Sequence, residues 1–181
     1  EIKQATDKSL DILRSFNGSN QSEQQFLRSL SEKSEFIIPL LYCCRSRNTK
    51  LVTTALQCLY KLLLSNSLPV TKLDLIVDAL QESTNLSIEI QLKVLQILPT
   101  FFQSYSAFIY DELLAKFLLV CSSLQAATKP TSVSNTASAT FLQLINSVFE
   151  KVNEEDKSVV ESSNAVPIDN DETISIATSA Y

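Results

Sequence analysis

The stretch Leu51-Val-Thr-Thr-Ala-Leu-Gln-Cys-Leu-Tyr-Lys-Leu-Leu63 returns 39 residues later as Ile90-Gln-Leu-Lys-Val-Leu-Gln-Ile-Leu-Pro-Thr-Phe-Phe102. Leu51, Ala55, Leu56, Leu59, Leu62 and Leu63 fall on Ile90, Val94, Leu95, Leu98, Phe101 and Phe102, and every one of these positions is apolar. The steps of three and four within each copy are those of one helix face. A further shift of 46 gives Thr136, Thr140, Phe141, Leu144, Ser147 and Val148, which keeps the central apolar pair.

Periods near 40 to 47 residues are those of armadillo and HEAT helical repeats. One such repeat cannot bury its own apolar face, so neighbours stack into a solenoid. The alternative, a non-repetitive helical bundle, has to produce the six matches at one offset by chance. The pattern predicts an all-α chain, an armadillo/HEAT-like right-handed solenoid of about seven to eight helices.

Composition narrows the chemistry. The 181 residues include no His, Trp or Met and a single glycine, Gly18. Without His there is no Ser-His or Cys-His nucleophile pair and no imidazole-containing metal site. One glycine cannot build either common phosphate-cradling loop, and it leaves few positions for tight hairpin turns. Most enzymes and most all-β folds are thereby disfavoured, and no cofactor is expected. Hydrophobic residues make up 45 %, enough for a sizeable core. The longest apolar run, Phe36 to Cys44, has nine residues and contains Pro39, whereas a membrane span needs about 20. The polar start, Glu1-Ile2-Lys3-Gln4, reads as the interior of a longer helix, with no signal peptide in view.

Working outward from the repeats, a first helix is expected from Glu1 to Phe16, with Ile2, Ala5, Ser9, Ile12, Leu13 and Phe16 on one face and Gly18 as its C-terminal cap. Ser22 with Gln25 forms a capping box for a short second helix. Pro39 places the start of the next near Ile38, since proline suits only a first turn. Asn48 or Thr49 caps a helix over 49–65, which Ser65-Asn66-Ser67-Leu68-Pro69 ends. Further helices are expected over 71–83, over 88–104 capped by Ser87 and kinked at Pro99, over 111–124 with burial on much of its surface, and over 135–152 after a loop at 125–134.

After Val152 the character changes. Residues 1–152 carry 14 basic and 13 acidic residues, a net of +1, and residues 153–181 carry one lysine and seven acids, a net of −6. The chain is expected to divide into a helical repeat domain over 1–152 and an acidic linker over 153–181, mostly disordered or docked in extended form through Thr173-Ile174-Ser175-Ile176. The overall charge of −5 gives no case for nucleic acid.

Four features carry candidate chemistry. Asp111-Glu112 is a carboxylate pair, but both lie in a predicted first helical turn, where acids favour the positive end of the dipole. Glu154-Glu155-Asp156 lacks fixed geometry for a hard cation. Cys43, Cys44, Cys58 and Cys121 sit in apolar helical stretches and read as buried free thiols. The turn holding Arg45, Arg47 and Lys50 has three cations and no acid between Arg45 and Lys50. It suits an acidic protein surface or anionic lipid headgroups, and it equally suits a solvated turn with a cation near a helix C-terminus. Repeat-connecting turns are exposed and align along a solenoid, so Arg45, Arg47 and Lys50 are the candidate partner contacts.

Two stretches go beyond a generic leucine pattern: Phe36 to Leu62, with Tyr-Cys-Cys-Arg-Ser-Arg-Asn-Thr-Lys at 42–50, and Asn135 to Val152. Both resemble the N-terminal dimerisation-and-cyclophilin-binding (DCB) domain of the large Golgi Arf guanine-nucleotide exchange factors, and Gln91-Leu92-Lys93-Val94-Leu95-Gln96 fits the same pattern. The resemblance covers residues 1–152. Within the family the chain is most similar to the monensin-sensitivity branch, scaffolds that lack the exchange domain. The resemblance implies an armadillo-like scaffold, cytoplasmic and peripheral on trans-Golgi and endosome membranes through its partners. Those partners include Arf-like small GTPases, a phospholipid flippase and a large partner scaffold. In related exchange factors a basic residue near this turn helps contact an Arf-like GTPase; the turn here carries one extra residue, and Arg47 is the nearest equivalent. Nothing resembles the exchange domain with its essential glutamate, so the expectation is a non-enzymatic scaffold. The alternative is a homodimerisation or intramolecular assembly module without direct GTPase contact.

Overall fold

Capping and proline chemistry set most of the element boundaries. The structure is a computed structural model that describes residues 2–17, 22–126 and 128–164. Among them run eight α-helices: α1 (Ile2–Asn17), α2 (Glu23–Glu32), α3 (Ile38–Arg45), α4 (Thr49–Leu64), α5 (Leu73–Ser83), α6 (Ile88–Tyr105), α7 (Asp111–Leu124) and α8 (Thr131–Asn164). Short 3-10 turns lead into α3 and α5 and follow α6. The described residues contain no strand.

The Ser22 box forms as the sequence predicts: its hydroxyl accepts the Gln25 amide at 3.4 Å, and the Gln25 side chain accepts the Ser22 amide at 3.3 Å. Pro39 falls in the first turn of α3, where its missing N–H costs nothing. Asn48 caps α4 by accepting the amides of Lys50 at 3.1 Å and Leu51 at 3.4 Å. Ser87 holds the N-cap position of α6 without a side-chain hydrogen bond, and Pro99 lies inside that helix.

Helix stacking follows the repeat. α3 packs on α1 and on α5, and α5 packs on α7. Each helix of this layer thus lies against the one two places on. α4 stacks on α6 in the same way, and contacts of α3 with α4, α5 with α6 and α6 with α7 join the two layers. This is an all-α helical solenoid. The packing lies within residues 1–147, one compact unit; residues 148–181 form the second, whose described part, 148–164, is the C-terminal portion of α8.

The core sits between the layers. In the 39-residue register, Ala55, Leu56, Leu59 and Leu63 of α4 are buried, as are all six matching residues of α6. Phe101 and Phe102 of α6 meet Phe117 of α7 edge to face, the Phe101–Phe117 centroids being 5.0 Å apart, and Phe101 meets Tyr105 of its own helix in the same way. The Tyr105 hydroxyl accepts the Leu68 amide at 2.9 Å, tying the α4–α5 connection to the end of α6. Burial raises the Tyr105 pKa, and the Leu68 hydrogen bond opposes the rise.

Several expectations are corrected. Leu51 is 41 % exposed whereas its neighbour Val52 is fully buried, so the covered stripe of α4 starts at Val52 and leaves Leu51 to one side. α7 is not buried on much of its surface: Phe117, Val120, Cys121 and Leu124 form one stripe at helical spacing, whereas Leu119 on the opposite side is 52 % exposed. The last helix begins at Thr131 rather than Asn135, because the Pro130 carbonyl accepts the Ser134 amide at 3.0 Å and opens the helix directly after the proline. Ser134 also donates from its hydroxyl to the Gln125 carbonyl and closes the preceding loop. At the other end α8 continues through Asn164, past the boundary expected at Val152. The Gly18 cap and the Thr173–Ile176 segment lie outside the described residues.

Candidate partner-contact site

The turn that joins α3 to α4 is built by short-range hydrogen bonds. The Ser46 hydroxyl donates to the Cys43 carbonyl at 2.7 Å and accepts the Asn48 amide at 3.4 Å. Asn48 then caps α4. The turn is thus held by its own hydrogen bonds, and Arg45, Arg47 and Lys50 project from residues 45–50 as exposed side chains.

Stacking sets a second turn beside it. Ser83, at the end of α5, is fully buried and donates from its hydroxyl to the Cys44 carbonyl at 3.1 Å and to the Ala79 carbonyl at 2.8 Å. Cys44 and Ser83 are 39 residues apart, one repeat, so the contact locks equivalent positions of successive repeats. Gln91 on α6 is buried and donates from Nε2 to the carbonyls of Thr84 at 2.9 Å and Leu86 at 3.1 Å, which holds the α5–α6 turn. Between the two turns lies a groove of about 510 Å³, with Arg45, Ser46 and Arg47 on one side and Glu82, Asn85 and Leu86 on the other.

The electrostatics differ from the sequence reading at one residue. Arg45 is not unopposed: its Nε lies 3.1 Å from Glu82 Oε1, with the two side chains 37 % and 52 % exposed. The acid comes from the neighbouring repeat, where inspection of residues 45–50 could not find it. Among the described residues, neither Arg47 nor Lys50 has an acid within ion-pair distance. Sequence reasoning missed Glu82, Asn85 and Leu86 as site residues. For Asn85 and Leu86 the available signal was the repeat itself, since adding 39 to turn residues 45–50 points at 84–89; Glu82 lies before that stretch.

The other candidates take structural places. Asp111 and Glu112 occupy the first turn of α7. Asp111 adopts φ 45°, a left-handed value that aspartate tolerates better than most residues. Glu154, Glu155 and Asp156 are exposed on α8, and consecutive helical residues point about 100° apart. Among the described residues no group of three or more His, Cys, Asp or Glu is placed to hold a metal ion. No helix of the described residues is long and apolar enough to cross a membrane.

Cys44 and Cys121 are fully buried, which pushes each thiol up to about 12. Cys43 and Cys58 are only half-buried, so the expectation of four buried thiols fails for these two. Burial raises the Cys43 pKa, and the neighbouring Cys58 adds to the rise. On the layer of α5 and α7, Lys116 bridges Asp74 and Asp78, the latter at 2.9 Å; these bonds hold its ammonium above the ordinary lysine range.

Comparison with known proteins places the chain in a domain family. The family described as DCB, the Mon2/Sec7/BIG1-like dimerisation and cyclophilin-binding domain, matches residues 1–156. The chain is 40 % identical over 182 aligned residues to Protein MON2 of Saccharomyces cerevisiae, covering 99 % of this chain and 10 % of that protein. It is 29 % identical to Monensin-resistant homolog 2 of Caenorhabditis elegans over 86 % of this chain and 9 % of the relative. To the Protein MON2 homolog of Homo sapiens it is 27 % identical over 86 % of this chain and 9 % of the relative. The chain therefore spans about a tenth of the length of the relatives it matches.

Proposed function

Because the chain belongs to the DCB domain family, we propose that it is a non-enzymatic scaffold domain that works in trans-Golgi and endosome membrane trafficking through contacts with small GTPases and other trafficking partners. The observation that carries this reading is the match over residues 1–156 to a family that includes MON2 proteins from yeast to human. A solenoid suits such a role, since its repeat-connecting turns line up as a rigid contact surface. The α3–α4 turn, with Arg45, Arg47 and Lys50, is the surface we assign to an Arf-like small GTPase, and attachment to the membrane is through such partners. A flippase and a large partner scaffold, expected from the family, complete the set of contacts.

The test is affinity capture of the chain on Golgi Arf-like GTPases loaded with a GTP analogue or with GDP. Preferential retention on the GTP-loaded form is expected, and equal or absent retention on both would remove the effector role.

A second reading, self-association, is favoured by the family's own description as a dimerisation domain. Here the chain builds a homodimer or docks within a longer polypeptide and touches no GTPase. Multi-angle light scattering from low to high micromolar concentration separates the two: a mass that doubles supports self-association, and a constant monomer mass excludes homodimerisation of this chain.

A further inference from the structure

The groove between the α3–α4 and α5–α6 turns is lined by two cations, Arg45 and Arg47, and a third, Lys50, is exposed in the first turn of α4. Arg47 and Lys50 stand open, while Glu82 Oε1 lies 3.1 Å from Arg45 Nε. A guanidinium carries five N–H donors in a planar fork, so a carboxylate on Nε leaves the terminal nitrogens free for a second acid. Leu86 and Asn85 on the facing wall add an apolar contact and an amide.

Resting on the proposed role of this turn as a partner contact, we infer that the groove is a docking site for a carboxylate-bearing segment of a protein partner, and that Glu82 is a built-in competitor for Arg45. Arg47 and Lys50 draw the segment in. Its acid then takes the guanidinium that Glu82 holds in the free chain. The site is therefore present but attenuated, because the Glu82 charge opposes every incoming carboxylate.

Two observations select a protein acid over an anionic bilayer. Lipid surfaces are held by clusters of about four to eight cations, and this turn leaves two open. A concave groove of about 510 Å³ between two turns also fits a side chain better than a flat array of headgroups.

At the exposure of this pair, one unit charge a few ångström from the ligand's acid changes affinity by about fivefold. The experiment measures anisotropy of a fluorescein-labelled hexaglutamate peptide on the whole chain at low ionic strength, with hexaglutamine as the uncharged control. Glu82→Gln keeps an oxygen for Arg45 Nε and removes the charge; Arg47→Ala with Lys50→Ala removes the open cations. Thermal melts check the fold of each variant. The inference requires about fivefold tighter binding of hexaglutamate by Glu82→Gln, about 25-fold weaker binding by the double alanine variant, which removes two charges, and no response to hexaglutamine. If the alanine variant weakens binding and Glu82→Gln leaves it unchanged, Glu82 is no competitor: the inference falls and the contact role of the turn stands. If neither variant changes binding, both fall. Sedimentation with phosphatidylserine vesicles that exceeds peptide binding, and is lost in the alanine variant, overturns the protein-acid occupant.

Discussion

Phe117→Ala removes the ring at which α7 closes on α6. Phe117 is fully buried, and its ring meets Phe101 at 5.0 Å and 73° and Phe102 at 6.3 Å and 78°. A buried phenylalanine withdraws about 150–250 Å² from water, worth about 4–6 kcal/mol at 25 cal/mol per Å². Truncations of such residues cost about 3–5 kcal/mol, since alanine keeps part of that area while a cavity opens. Both edge-to-face pairs are lost as well, at about 0.5–1.5 kcal/mol each. The upper half of the truncation range follows, about 4–5 kcal/mol. With a urea slope of about 2 kcal/mol per molar, the midpoint followed by circular dichroism at 222 nm falls by about 2 M. Phe117→Leu, which keeps most of the volume, costs about 1.5 kcal/mol or less and holds the fold for comparison. A midpoint loss under 0.5 M, about 1 kcal/mol, for Phe117→Ala would refute the placement of this ring in the shared core.

The other predictions concern the cap and the thiols. Asn48→Ala removes the two amide acceptances at the start of α4 and is expected to lower stability by about 1 kcal/mol in the same urea assay. Under native conditions a disulfide-exchange reagent is expected to label Cys43 and Cys58 well before Cys44 and Cys121, read by mass spectrometry at short times; equal labelling would contradict the burial pattern. Stability is also expected to fall with rising alkali between pH 9 and about 12. Cys44 and Cys121 keep their protons in the folded chain up to about 12 but lose them near 9 when unfolded, so the folded state binds more protons in that window. Replacing both by alanine or serine should flatten this limb of a stability-against-pH curve.

Much of the fold was legible because its determinants are local or periodic. The 39-residue offset predicts the α4 and α6 stripes, and the Ser22 box, Asn48 and Pro39 mark helix starts through bonds spanning at most four residues. Misreadings arose where burial depends on which face a neighbour covers. The apolar string of α7 looks uniform in one dimension, yet only the Phe117–Val120–Cys121–Leu124 stripe is covered. Pro130 reads as a loop residue until its carbonyl is seen to start α8. The candidate site was half legible: Arg45, Arg47 and Lys50 follow from local charge, but the Arg45–Glu82 pair joins residues brought together only by repeat stacking. A single contact of this kind decides which cations remain open, and no inspection of the turn alone supplies it.

The α3–α4 turn is the partner contact proposed for this domain. It is tested most directly by titrating the wild-type chain and the Arg45→Ala, Arg47→Ala, Lys50→Ala triple variant against an Arf-like GTPase held in its GTP state. The account predicts nucleotide-dependent binding by the wild type and a loss of about tenfold or more in the variant, with an unchanged thermal melt. A variant that folds normally and binds as tightly as the wild type would contradict it.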